Sequence, residues 1–191
     1  MTDTITANAA TRSRGRLSTL TTIIMGAALL TLAAKLQVPF WPVPMTLHTV
    51  AVMGFAVALG PRIAGSIVLA YLAAGAAGMP VFSGSPERGI GLAYMVGPTG
   101  GYLFGYLVAA FLVGGLAAGR GTVGRIGAML AGLLPIYGFG AAWLALHAPV
   151  DQVFAMGVRP FILGDLVKIL VVAAIGKGLG EALGRFRSTA R

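Results

Sequence analysis

Six apolar runs, cut apart by short segments of glycine, proline and arginine, fill this chain from residue 17 to residue 179. They cover residues 17–36, 46–59, 63–81, 99–118, 126–147 and 160–179. A helix needs about 20 predominantly apolar residues to cross a hydrocarbon core, and in lipid its backbone must satisfy its own hydrogen bonds. The pattern therefore predicts an all-α integral membrane protein. Composition closes the alternative of a water-soluble enzyme. Only 10% of the residues are charged, against roughly 25% in soluble domains, too few to solvate the outside of a globule whose inside is also apolar. The mean hydropathy of +0.88 says the same. The 29 glycines suit helices packed backbone to backbone in lipid. With no cysteine, disulfides, thiolate metal sites and cysteine nucleophiles are all excluded.

The net charge of +9 does not make this a nucleic-acid binder, because the basic residues sit at the ends of apolar runs rather than along one face. They set orientation instead. With six spans and both termini cytoplasmic, the inner side carries Arg12, Arg14, Arg16, Arg62, Arg120, Arg125, Lys177, Arg185, Arg187 and Arg191. The outer side keeps Lys35, Arg88 and Arg159, in line with the excess of cytoplasmic positive charge found in membrane proteins. The second run is short, and by itself fits a re-entrant segment as well as a span. If it and the third run did not cross, Arg62 would change sides without a compensating gain. Residues 1–16 read as a polar cytoplasmic tail, 17–183 as the six-helix membrane domain and 184–191 as a basic cytoplasmic tail. The first apolar run has no small-residue cleavage pattern near its end, so it is expected to stay on the chain.

The outer connections are longer than the inner ones and richer in proline and aromatic residues, which points function to the outer face. Residues 37–45 hold three prolines with Phe40 and Trp41. Proline stiffens such a loop, and it reads either as a cover over a cavity or as an interfacial anchor in the aromatic belt.

Two constellations carry chemistry. Asp165 and Lys168 lie three residues apart inside the sixth run, on one helix face. A charge in lipid costs at least about 2.5 kcal/mol, so the pair is either a ligand site or a self-neutralising ion pair. The second is Gly97-Pro98-Thr99-Gly100-Gly101-Tyr102 at the start of the fourth run. Thr99 falls at a helix N-cap, Gly100 and its neighbours expose amides that suit an anionic group, and Tyr102 is expected to face the same cavity. Close packing through Gly97, Gly101 and Gly105 is the competing reading. No strand precedes these glycines and no phosphate-binding Gly-Lys-Ser/Thr signature occurs near Gly176-Lys177, so neither is a nucleotide site. His48 and His147, the only histidines, offer no serine-histidine arrangement for a membrane protease. One intramembrane acid cannot assemble the clustered aspartates that metal-dependent prenyl transfer requires. No catalytic residue, metal site or cofactor is expected. His48 reads as a helix-end residue without a chemical role, and Tyr137 and Trp143 as packing.

Four segments in order, Pro42-Val43-Pro44-Met45-Thr46-Leu47, Gly78-Met79-Pro80-Val81-Phe82, Gly97 to Tyr102, and Pro160 to Lys168 with its Gly164-Asp165-x-x-Lys168 core, together resemble the BioY family. Its members are biotin-specific S components of energy-coupling factor transporters. The resemblance covers about residues 17–183; the family usually shows glutamine where this chain has His48, and often a second proline where it has Leu163. It implies a high-affinity biotin-capture subunit in the cytoplasmic (inner) membrane, with no catalytic step and with biotin as transported ligand. By the same resemblance Asp165 binds the ureido ring, Lys168 joins that polar site, and Trp41, Phe82, Tyr102 and Phe161 form apolar and aromatic walls. Thr99 and Gly100 then lie near a polar end. The implied partners are a transmembrane T protein and two ABC-type ATPases, docked through small residues on the first helix, here Ala27 and Thr31. A stand-alone biotin transporter or facilitator is the alternative.

Overall fold

The computed structural model describes the backbone of residues 2–38 and 43–189 and the side chains of 17–37 and 43–176. Among the described residues seven helices follow in order: α1 (Thr2–Lys35), α2 (His48–Ala76), α3 (Gly91–Met95), α4 (Gly100–Ala117), α5 (Thr122–Leu144), α6 (Val150–Gly157) and α7 (Arg159–Thr189). Two short strands, β1 (Gln37–Val38) and β2 (Met45–Thr46), pair antiparallel between α1 and α2. Among the described residues, four segments are long and apolar enough to cross a membrane: Leu17–Lys35, His48–Ala76, Gly100–Ala117 and Thr122–Leu144. The helices turn apolar side chains outward as well as inward. Leu134 and Leu163 are each 74% exposed, an arrangement that suits lipid and not water.

The longest of these segments is not one rod. Twenty-three residues of straight helix put His48 and Tyr71 about 34 Å apart, yet His48 Nε2 lies 2.8 Å from the Tyr71 hydroxyl. The chain reverses at Gly60, whose φ of 78° and ψ of 175° are non-helical and belong to a region open almost only to glycine. Thus α2 is a hairpin of two helical arms, 48–59 and 61–76, with its turn at the Gly60-Pro61-Arg62 signal in the sequence. Gly114 of α4 lets the turn pack close: a Cβ there would stand 2.5 Å from the Pro61 nitrogen.

α4 packs chiefly against α5 and against the α2 hairpin. Residues spaced three and four apart meet in the core, with Ala109, Ala110 and Val113 of α4 buried alongside Met53, Ala56, Ile67 and Met129. α4 and α5 approach to backbone contact at two glycines. A Cβ on Gly101 would stand 2.2 Å from the Phe139 carbonyl oxygen, and one on Gly105 would stand 2.7 Å from Ile136 Cα. The glycine spacing of α4 is therefore a packing face. Three elements that hydrophobic periodicity does not reveal, the β1–β2 pair, α3 and α6, all lie in connections at one end of the bundle.

Candidate functional site

At that end, α2, α4, α5 and α7 line a partly open cavity. α7 contributes Phe161, Asp165 and Lys168 from one face, because spacings of four and three stack side chains on successive turns. The same stripe continues into the buried Ile169 and Val172, while Leu163, Val167 and Leu170 face outward. α4 presents Tyr102, Leu103 and Tyr106, and α5 presents Ile136 and Tyr137. Val43, Pro44 and Thr46 enter from the β-pair, His48 and Thr49 from the start of α2, and Ser83, Tyr94 and Thr99 from the connection between α2 and α4.

Asp165 is 3% exposed. Its Oδ1 accepts from Lys168 Nζ at 2.8 Å and its Oδ2 from the Tyr137 hydroxyl at 2.7 Å. A carboxylate removed from water needs such partners, and each oxygen keeps a second lone pair. The site thus joins an acceptor that is fixed on two sides to an ammonium and several hydroxyls, within aromatic walls. That set matches a small ligand with both N–H donors and carbonyl or carboxylate acceptors.

Hydrogen bonds tie α1, β1 and the connection after α2 together beside the cavity. Lys35 Nζ, at the end of α1, donates to the Ser85 carbonyl and, at 3.0 Å, to its hydroxyl. The Ser83 hydroxyl donates to Gln37 Oε1 on β1, and the Tyr94 hydroxyl to the Ser83 carbonyl at 2.8 Å. Burial raises the pKa of the Tyr94 phenol above its ordinary value, offset in part by Thr99 and by the nearby Arg88, so it remains a donor. Trp143 Nε1 donates to the Gly97 carbonyl at 2.9 Å and ties α5 to the approach to α4.

Of the residues singled out in the sequence, Asp165, Lys168, Tyr102, Thr99 and Phe161 converge on this cavity. Tyr102 presents its ring, for its hydroxyl donates to the Gly157 carbonyl at 2.7 Å. Thr99 occupies the N-cap position of α4, but its side chain makes no capping bond. The amides of Gly100 and Tyr102 already bond to the carbonyls of Gly97 and Thr99. Gly100 fits against the Met95 carbonyl and is not part of the cavity lining. Phe82 is wholly buried behind the wall, stacked on Tyr94 with centroids 4.7 Å apart. Trp41 lies outside the described residues. Ala27 and Thr31 share a part-buried face of α1, where the Thr31 hydroxyl bonds to the Ala27 carbonyl at 2.9 Å.

Sequence reasoning did not assign His48 or Tyr137 to the site, nor Thr46, Thr49, Ser83, Tyr94 and Tyr106. Two signals were present. A histidine within an apolar segment is by default a functional candidate, and Tyr102 and Tyr106, four apart, share a helix face.

The BioY family model matches residues 4–185. A probable biotin transporter BioY of Pyrococcus horikoshii is 39% identical over 152 residues, which cover 80% of this chain and 90% of the relative. The biotin transporter BioY of Thermotoga maritima is 36% identical over 150 residues, 78% of this chain and 87% of the relative. BioY2 of Lactococcus lactis subsp. cremoris is 34% identical over 172 residues, 88% of this chain and 93% of the relative. A crystal structure of the S-component for biotin from an ECF-type ABC transporter aligns with a TM-score of 0.75 at 26% identity, covering 88% of this chain and 93% of that one.

Proposed function

The chain belongs to the BioY family, and from that premise we propose that it is the biotin-binding S component of an energy-coupling factor transporter. The observation that carries the reading is the buried Asp165, held by Lys168 and Tyr137 and lining the cavity. A carboxylate so fixed accepts the N–H groups of a ureido ring, with Lys168 beside it as a donor. The rings of Tyr102 and Phe161 wall the apolar body of the ligand, Phe82 supports that wall from behind, and Thr99 stands near a polar end. Affinity then comes from shape, and the few polar groups set orientation.

In this reading each arm of the α2 hairpin crosses the membrane. With α1, α4, α5 and α7 the protein has six transmembrane helices and both termini in the cytoplasm, and it resides in the cytoplasmic (inner) membrane. The ten-to-three division of basic residues supports that orientation. Energy comes from partners, a T protein and two ABC-type ATPases, with Ala27 and Thr31 on the docking face. The test is calorimetric titration of ligand-free, detergent-purified protein with biotin and thiamine. Binding of biotin and not of thiamine is expected; folded protein that binds no biotin overturns the reading. Uptake of labelled biotin with and without the ATPase module separates the S component from a stand-alone transporter.

A further inference from the structure

His48 lines the cavity, yet both of its ring nitrogens are committed to protein groups. Nδ1 lies 3.1 Å from Thr46 Oγ1, and Nε2 lies 2.8 Å from the Tyr71 hydroxyl, which itself donates to the Val81 carbonyl at 3.3 Å. Tyr71 has a single hydroxyl proton. With that proton on Val81, its oxygen accepts from His48 Nε2–H, and Nδ1 accepts from Thr46. The chain of bonds runs one way, from Thr46 through His48 and Tyr71 to the connection after α2. This assignment of protons satisfies every acceptor and leaves the imidazole nothing to offer a ligand except its ring.

That ring joins an array of five. His48 lies 5.1 Å from Tyr106 with planes tilted by 32°, and 5.3 Å from Tyr71 edge-on. Tyr71 meets Phe82 edge-on at 5.4 Å, and Phe82 stacks on Tyr94. His48, Tyr94 and Tyr106 face the cavity, while Tyr71 and Phe82 stand behind them. Of the hydrogen-bonded pair His48 and Tyr71, both in the ring array, His48 is the one that lines the cavity. Two bonds at opposite nitrogens hold the plane of its ring, and the plane of that ring limits where Tyr106 sits.

We propose that His48 is a positioning residue for ligand shape: pinned by Thr46 and Tyr71, it fixes the wall against which the second ring of a fused bicyclic ligand packs. The inference rests on the biotin reading and concerns discrimination at that same site. Desthiobiotin is the probe, since it keeps the ureido ring and the carboxylate chain but lacks the fused sulfur ring.

Wild-type protein and the variants His48→Phe, His48→Gln and Tyr71→Phe are titrated with biotin and with desthiobiotin, alongside thermal unfolding. His48→Phe keeps a ring against Tyr106 without the bonds, and Tyr71→Phe breaks the chain from behind the wall with all rings retained. Each is expected to reduce the preference for biotin over desthiobiotin by about five- to tenfold. The double variant loses no more than either alone, as members of one network do. His48→Gln, whose amide reaches the Nε2 donor position, restores most of the preference. A purely structural role weakens both ligands alike and leaves the preference unchanged, which overturns the proposal, as do additive losses in the double variant. If His48→Phe does not fold, Tyr71→Phe and His48→Gln decide. A wild type that binds neither ligand overturns the biotin reading and this proposal together, whereas a wild type that binds biotin with unaltered preference in the variants overturns the proposal alone.

Discussion

The Tyr137 hydroxyl donates to Asp165 Oδ2 at 2.7 Å and so joins α5 to α7 across the cavity, while Lys168 holds the other oxygen from within α7 at 2.8 Å. Two helices thus fix one carboxylate. Tyr137→Phe keeps the ring and removes the tie between the helices. A hydrogen bond to a charged group contributes about 1.5–3 kcal/mol, so biotin affinity is expected to fall by about 10- to 100-fold. Calorimetry on the folded variant measures it; an unchanged affinity would mean that α7 alone orients Asp165.

Asp165→Asn leaves the part-buried Lys168 ammonium without its counter-charge. Breaking a buried pair costs about 3–5 kcal/mol, so this variant loses both stability and biotin binding. Asp165→Asn with Lys168→Met removes both charges. That double variant is expected to regain most of the thermal stability while biotin binding stays lost, which separates the ligand site from a self-neutralising pair. Recovery of binding together with stability would sink the site assignment.

Gly60 and Gly54 make a controlled comparison on one hairpin. A Cβ at either position meets nothing within 4 Å, but only Gly60 has a positive φ. Gly60→Ala is therefore expected to destabilise by about 1–3 kcal/mol through backbone strain alone. Gly54→Ala, in regular helix, is expected to be neutral or to stabilise by up to about 1 kcal/mol. Thermal unfolding of the two variants in the same detergent is the measurement, and equal shifts would contradict the hairpin turn.

Gly101→Ala inserts a methyl group 2.2 Å from the Phe139 carbonyl oxygen, where backbone must move. Overpacking of this kind costs about 1–3 kcal/mol and separates α4 from α5, so biotin affinity is expected to fall with stability. Gly115→Ala, on the same helix with nothing within 4 Å of the added carbon, serves as the control and should leave both unchanged.

The part of the cavity lining that was legible in one dimension lies on single helices. Phe161, Asp165 and Lys168 stack by spacing alone, and a charged pair inside an apolar run has few explanations. Thr99 and Tyr102 were placed by the start of α4. His48 and Tyr137 read as a helix-end residue and a packing residue, because neither has a polar neighbour at helical spacing that would mark it. Their partners, Tyr71 and Asp165, are 23 and 28 residues away.

By itself the sequence determined the class of environment, the apolar segments, the reversal at Gly60-Pro61-Arg62 and the buried charge pair of α7. These follow from local quantities: hydropathy summed along a run, the conformations open to glycine and proline, and the cost of a charge in lipid. Only the tertiary structure decided which face of each helix the cavity takes, that Gly101 and Gly105 of α4 press on α5, and that His48 belongs to the wall. Those outcomes depend on how side chains from different helices meet, and a contact between residues far apart in sequence exists only once the helices have packed.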